Sequence, residues 1–485
     1  MQQVDLAALS VDIAAVAPIF LLGGLAMVVL VLGLFVGKEQ SGSLAALSVV
    51  GIAGIAVLTA MSWGNSRTAF GQMVVIDNFY VFFGVLALAS TAVAVILSTS
   101  YVNRMGLAHP EFFALLIFGA SGMLVIAAAT NLIVLLVGIE LLSLSLYVLA
   151  GFARTRLSSE EAALKYFLLG SFSIGLLIYG AALIFGATGS LDYAGIARAL
   201  QAQRGLNPML LVGLGLVLVG FAFKLSLVPF HMWVPDVYEG SPTPVTAYMA
   251  VGTKAAMFAA LVRMLTSAFP AAQAEWAPIL AVLAALTMIV GNVGAVVQTN
   301  IKRLLGYSAI AHAGYILMAL VSGGNNSVLF YLLVYTAMNF GAFAVVVAVS
   351  GGTEDKLSLD DWSGLAQRNP WLAAAMTIFL LSLAGVPPTA GSLGKLYVFE
   401  SAIQGGYLWL ALIGILTSII SVYYYLKVVV AMYMVKPLGV AIPGKLTFSM
   451  AAVVVIALFF TLQLGIVPGL YLNVGQFPVV QALVR

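Results

Sequence analysis

The 485-residue chain has no cysteine, only three histidines, and a charged fraction of 8%. Each scarcity excludes something. Without cysteine the chain can form no disulfide, no thiolate zinc site and no cysteine-ligated iron–sulfur cluster. His109, His231 and His312 are too scattered to suggest a haem or metal centre. Any redox chemistry tied to this chain therefore sits on another protein. Soluble proteins are about a quarter charged. Here 63% of the residues are hydrophobic, so a soluble fold would have almost no polar surface. The composition is that of an integral membrane protein, and nucleic acid is not expected among its partners. Met1 to Asp12 has no basic run and carries Asp5 and Asp12, so no cleavable signal is expected there.

What is present is a series of long apolar runs. About 20 such residues cross a bilayer. By that rule the sequence predicts an all-α polytopic protein of about fourteen spans. They fall near 13–36, 44–63, 77–100, 111–129, 131–153, 160–186, 208–235, 242–268, 277–298, 301–322, 327–350, 370–403, 406–435 and 446–466.

Basic residues mark the cytoplasmic side of such a protein. Loops after odd-numbered spans hold Lys38, Arg104, Arg154, Arg156, Lys302, Arg303, Lys356, Arg368, Lys436 and Lys445. The other side holds Arg67, Arg198, Arg204, Arg263 and Arg485. The imbalance puts the odd loops in the cytoplasm and both termini outside. Between Thr353 and Arg368 charged residues alternate with Leu357, Leu359, Trp362 and Leu365. This stretch reads either as an interfacial amphipathic helix or as a solvated connector.

Two spans are flawed. Phe221-Ala-Phe-Lys-Leu-Ser-Leu-Val-Pro-Phe-His-Met-Trp-Val-Pro-Asp236 has Lys224 near the membrane centre and Pro229 one turn on. Leu381-Ser-Leu-Ala-Gly-Val-Pro-Pro-Thr-Ala-Gly-Ser-Leu-Gly-Lys395 repeats Leu-Ser-Leu, then proline, with its lysine beyond the break. Proline removes a backbone donor and clashes one turn back. A broken helix survives in hydrocarbon only within protein or beside water. Paired broken helices in matching halves of a chain point to a transport site. The spans divide accordingly: a three-helix segment (1–105), two inverted five-helix repeats (106–272 and 273–436), each with a discontinuous helix, and a C-terminal helix (437–485). On that reading Lys395 is the repeat counterpart of Lys224.

Charges at membrane depth are costly and are functional candidates by default. Glu140 lies mid-span in Val137-Gly-Ile-Glu-Leu, and Lys165 begins the next span in Glu161-Ala-Ala-Leu-Lys. Lys165 is its expected partner, the alternative being a lysine that snorkels to the interface. Lys224 and Lys254 sit near the centres of their spans, where desolvation makes a lysine easier to deprotonate. His312 lies mid-span in Ser308-Ala-Ile-Ala-His, and Lys395 follows the second break. The bland alternatives are lysines fixed to carbonyls and a satisfied core histidine. Tyr423, Tyr424 and Tyr425 read as an interfacial belt. Together the six ionisable residues form a titratable row suited to passing protons.

The runs Phe223-Lys-Leu-Ser-Leu-Val-Pro-Phe-His-Met-Trp-Val-Pro-Asp-Val-Tyr238 and Lys302-Arg-Leu-Leu-Gly-Tyr-Ser308 resemble the antiporter-like membrane subunits of respiratory complex I. The same pattern is shared with multisubunit cation/proton antiporters. The likeness covers about residues 77–435. Three details fit one branch of that family: Pro235-Asp-Val-Tyr-Glu-Gly240, Lys254, and lysine rather than glutamate at 395. The resemblance implies a Glu140–Lys165 pair, relay lysines at 224 and 254, and a terminal lysine at 395. It places NADH, FMN, iron–sulfur clusters and quinone on other subunits and none in this chain. It also implies other membrane subunits and phospholipids as partners, and a bacterial inner membrane with periplasmic termini. The rival readings are an antiporter subunit without redox coupling and a passive scaffold.

Overall fold

A chain in hydrocarbon has no water for its peptide groups, so they must be satisfied inside helices. The computed structural model, which describes residues 12–36, 41–202, 207–350, 355–437 and 447–467, is built that way. The helices are α1 (Ala17–Gly33), α2 (Ser41–Ala60), α3 (Asn78–Arg104), α4 (Pro110–Ala128), α5 (Leu132–Ala150) and α6 (Leu157–Thr188). A short antiparallel hairpin, β1 (Arg67–Ala69) and β2 (Val74–Ile76), joins α2 to α3. Next come the short α7 (Tyr193–Ala202), α8 (Pro208–Leu225), α9 (Trp233–Gly240), α10 (Thr243–Ser267), α11 (Pro270–Val296) and α12 (Ile301–Val321). The series ends with α13 (Asn325–Val349), α14 (Pro370–Ala384), α15 (Ala390–Gln404), α16 (Leu408–Met434) and α17 (Phe448–Ile466).

Twelve helices among the described residues are long and apolar enough to cross a membrane, and α1 and α14 are shorter apolar helices. Burial separates an inner from an outer set. The most apolar stretches of α10 and α12 are 94% buried, those of α2, α16 and α17 only 33%. The centre therefore lies between α10 and α12. Small residues let α11 close on α12, as is usual without a hydrophobic drive between spans. A Cβ on Gly291 of α11 would lie 2.6 Å from the Ala311 nitrogen of α12.

Both flawed spans are broken, and in the same way. α8 stops at Leu225 and Ser226 takes a left-handed conformation at φ +64°. α14 stops at Ala384 and Gly385 does the same at φ +89°. Each end closes with a Schellman pair of bonds. Ser226 N donates to Phe223 O (3.1 Å) and Leu227 N to Ala222 O (2.8 Å). Gly385 N donates to Ser382 O (3.0 Å) and Val386 N to Leu381 O (2.9 Å). The Val228–Pro229 and Pro387–Pro388 peptides are cis. Counted from the two caps, Ser226 matches Gly385 and Lys224 matches Leu383, whereas the Leu-Ser-Leu echo would match Ser226 with Ser382. Lys395 lies ten residues past its cap, whereas Lys224 lies two residues before its own. The left-handed cap, rather than the shared tripeptide, decides where each helix ends.

Of the two readings of 353–368, the interfacial helix does not form; 353–354 lie outside the described residues. Residues 355–369 pack on the protein end through Ile301 N to Leu357 O (2.8 Å) and Leu359 N to Thr299 O (2.9 Å). Only a 3-10 turn, Leu359–Trp362, and a single turn, Leu365–Arg368, are helical. Its apolar residues Leu359, Trp362 and Leu365 are buried against protein instead of lipid.

Candidate functional site

Residues three and seven apart share a helix face. Glu140, Ser143 and Tyr147 make such a stripe on α5, and α8 brings Lys224 to it in its last turn. Lys224 Nζ donates to Ser143 Oγ (2.7 Å) and Tyr147 Oη (3.4 Å). Glu140 is half-buried, with Oε1 buried and without a hydrogen-bond partner among the described residues. It lies within electrostatic range of Lys224 and Tyr147.

The expected Glu140–Lys165 pair does not form in this structure. Lys165 Nζ is 2.6 Å from Glu161 Oε1 and 2.6 Å from Asp236 Oδ2. The buried face of α6 carries Ala162, Tyr166 and Gly170, with Tyr166 wedged between Tyr147 of α5 and Trp233 of α9. Lys165 is one residue, about 100° of helix turn, from Tyr166 and meets α9 farther along, at Asp236. There it joins a chain of charges that no sequence motif had paired. Arg303 Nη1 reaches Asp236 Oδ1 (2.7 Å) and Glu239 Oε2 (2.8 Å). Lys302 Nζ donates to the carbonyls of Glu239 (2.9 Å) and Ser241 (2.6 Å). The signal was the pair of runs Pro235–Gly240 and Lys302–Ser308, which carry Asp236, Glu239, Lys302 and Arg303. Burial works against a charged Asp236, yet hydrogen bonds from Lys165 and Arg303 outweigh it and hold the carboxyl below its ordinary range. This tie is therefore present above the ordinary carboxylate pKa, and it is lost only as pH falls through the lowered value.

At the centre, a π turn over Met249–Thr253 re-aims α10 directly before Lys254. Lys254 is buried; its Nζ donates to Ala309 O of α12 and lies 5.8 Å from the Tyr335 ring centre. One turn along α12, His312 Nδ1 bonds Tyr331 Oη (2.8 Å) and Nε2 bonds Tyr425 Oη (3.2 Å). A neutral imidazole donates from one nitrogen and accepts at the other. His312 is within electrostatic range of both Lys254 and Lys395.

Lys395 folds back across the second break. Its Nζ donates to Ala384 O (2.8 Å) and Ser418 Oγ (2.7 Å), and it lies 5.1 Å from the Tyr315 ring centre. Tyr315 also packs edge-on against His312. Asn292 holds Tyr315 Oη (3.1 Å) and accepts from Tyr424 Oη (3.1 Å). Tyr424 and Tyr425 are thus core residues, not an interfacial belt; of the three, Tyr423 alone is exposed.

A further correction concerns Arg263. It is not a loop charge: it is buried in α10 and forks onto Asp77, Nη1 to Oδ2 at 2.9 Å and Nη2 to Oδ1 at 2.8 Å. Its guanidinium stacks 4.5 Å from the Phe79 ring centre. Asp77 also caps α3 by accepting from Tyr80 N at 2.8 Å.

The family described as "NADH:quinone oxidoreductase/Mrp antiporter, TM" matches residues 129–421, which hold both breaks and all six ionisable candidates. The chain belongs to this antiporter family. It is 46% identical to NADH-quinone oxidoreductase subunit N of Trichlorobacter lovleyi, over 96% of this chain and 97% of that protein. Subunit N of Chloroflexus aggregans is 44% identical, over 94% and 95%. A chain of respiratory complex I from Thermus thermophilus, solved with bound Aureothin, superposes with a TM-score of 0.80 at 38% identity. That match covers 94% of this chain and 98% of the other. Within the antiporter family the chain is thus most like subunit N, the branch to which the Pro235–Gly240 run, Lys254 and Lys395 point.

Proposed function

We propose that this chain is a proton-translocating membrane subunit of a proton-pumping NADH:quinone oxidoreductase. The observation that carries the reading is how Lys224, Lys254 and Lys395 are held. Each ammonium rests on hydroxyls or carbonyls, namely Ser143, Ala309, and Ala384 with Ser418, rather than on a carboxylate. A lysine without a permanent counter-charge can give up its proton, which a structural ion pair resists. His312 stands between Lys254 and Lys395 and can take or give a proton at either nitrogen. Glu140 is the movable counter-charge of Lys224. A unit charge about 4 Å away is worth about 4 kcal/mol at an effective dielectric of 20, roughly a thousandfold in a proton equilibrium. Redox steps on other subunits, which would carry NADH, FMN, iron–sulfur clusters and quinone, would shift charge at one end of the row. Protons would then load from one side and leave on the other.

The architecture that suits this role has fourteen crossings, counting the twelve long helices, α1, and the broken pair α14–α15 as one. Residues 106–272 and 273–436 would be inverted repeats about an axis in the membrane plane. Residues 1–105 and 437–485 would flank them. Both termini would be periplasmic, in a bacterial inner membrane, beside other membrane subunits and phospholipids.

The test is Lys224→Arg against Lys224→Ala. Arginine keeps its charge and does not release a proton in a protein. Both variants are expected to assemble, with coupled turnover and proton uptake in vesicles lost in each. Full activity in Lys224→Arg beside loss in Lys224→Ala would make Lys224 a fixed charge. The family description also spans Mrp antiporters, so a cation/proton antiporter without redox coupling is the second reading. Co-purification with flavin and iron–sulfur proteins decides between the two.

A further inference from the structure

Lys395 ends the row, and none of the contacts above leads outward from it. An open groove of about 780 Å³ with a mostly apolar wall lies beside the second break, and Lys395, Ser418, Ser392, Glu400 and Gln404 are the polar side chains that line it. At about 30 Å³ per water it has room for roughly two dozen molecules. The rest of its wall includes Pro387 and Pro388, at the point where α14 and α15 are interrupted. Non-helical backbone at membrane depth is tolerated where it lines such a space.

α15 connects the two ends of the groove. Lys395 is buried and Glu400 is exposed. Five residues of helix put Glu400 roughly 7.5 Å farther along the axis, toward the end that the proposed topology makes external. Gln404 Nε2 donates to Glu400 Oε1 at 3.0 Å and steadies the carboxylate on its helix. Ser392 lies one turn before Lys395 on the same helix and also lines the groove. Of the three ammonium hydrogens of Lys395, two are taken by Ala384 and Ser418 among the described residues.

We propose that Glu400 is the outward proton acceptor of Lys395, reached through water in this groove. The ammonium gives a proton to the first water, a proton moves along the file to the Glu400 carboxylate, and Glu400 releases it to the external phase. Lys395 is left neutral and is recharged from the row. This deepens the relay reading and rests on it for the role of Lys395.

The test has two arms, both in the assembled complex. In the first, Ser392→Cys supplies the one thiol of an otherwise cysteine-free chain. A membrane-impermeant methanethiosulfonate reacts with the thiolate, which needs water. Labelling of this subunit is expected at least tenfold faster in right-side-out than in inverted vesicles. No external labelling, or labelling from the cytoplasmic side alone, overturns the route whatever the pump does. An acyl chain or a partner subunit filling the groove would give that result. In the second arm, Glu400→Gln is expected to slow coupled turnover severalfold, with Glu400→Asp retaining much of it. If Lys395→Ala slows turnover but Glu400→Gln runs at the wild-type rate, the Glu400 proposal fails and the relay stands. If both run at the wild-type rate, the relay reading fails and Glu400 with it.

Discussion

Arg263 and Asp77 show what a buried charge needs. Side-chain exposures of 3% and 8% leave no room for water to carry the charges, so each depends on the other's fork. Removing one partner of such a pair costs about 3–5 kcal/mol, while replacing both with apolar groups is often neutral. Arg263→Met is therefore expected to lower the melting temperature of the purified complex strongly. Asp77→Leu with Arg263→Met should lose less than the two single changes together, keeping a penalty of about 1 kcal/mol for the lost cap of α3. Thermal melts of the three variants check this, and additive losses would refute a coupled pair. The relay lysines, by contrast, stood out in the sequence because a charge inside an apolar run is conspicuous. Arg263 did not, because span ends are uncertain by a few residues and its partner lies 186 positions away.

At the scale of the helix, both discontinuities were legible from proline and from span length. Their register was not, since it depends on left-handed residues that no shared tripeptide announces. The second break also depends on a close crossing. A Cβ on Gly391 would fall 1.8 Å from Ser382 O and 2.6 Å from its carbonyl carbon, backbone atoms that cannot swing away. Gly391→Ala is expected to force α14 and α15 apart, to displace Lys395 from Ala384, and to abolish coupled turnover or subunit incorporation. Gly175→Ala in α6 is the control, because a Cβ there meets nothing within 4 Å. It should be neutral or slightly stabilising, since glycine is a poor helix former. Activity and subunit content in membranes, compared between the two, measure the difference. A fully active Gly391→Ala complex would show that the crossing can relax.

For the whole molecule, orientation is the open quantity that a single experiment reaches. Arg263 and Lys302 are buried and held by protein groups, so neither should be counted as a loop charge. Each side loses one cation and the excess on the side of the odd loops remains. Arg198 on α7 and Asp360 in the connector are both exposed. Arg198→Cys is expected to react with an impermeant thiol reagent from the external side only, and Asp360→Cys from the cytoplasmic side only. Reaction of the first from the cytoplasm alone would reverse the topology.

Composition and local pattern by themselves determined that this chain is a helical membrane protein, where its apolar runs lie, which two are interrupted, and that Lys254, His312 and Lys395 are buried within them, though not that Arg263 and Lys302 are. These are short-range properties: a peptide group in hydrocarbon must bond within its own helix, and a buried charge is anomalous wherever it sits. Only the tertiary structure decided the partners. It gave Lys165 to Asp236 instead of Glu140, set Ser143 and Tyr147 against Lys224, and drew Tyr331 and Tyr425 onto His312. Spacing along one helix tells which residues share a face, but which face meets which neighbour depends on the packing of all the helices at once. An ionic or hydrogen-bonded contact falls off within a few ångströms, so a rotation of about 100° between adjacent residues is enough to change its partner.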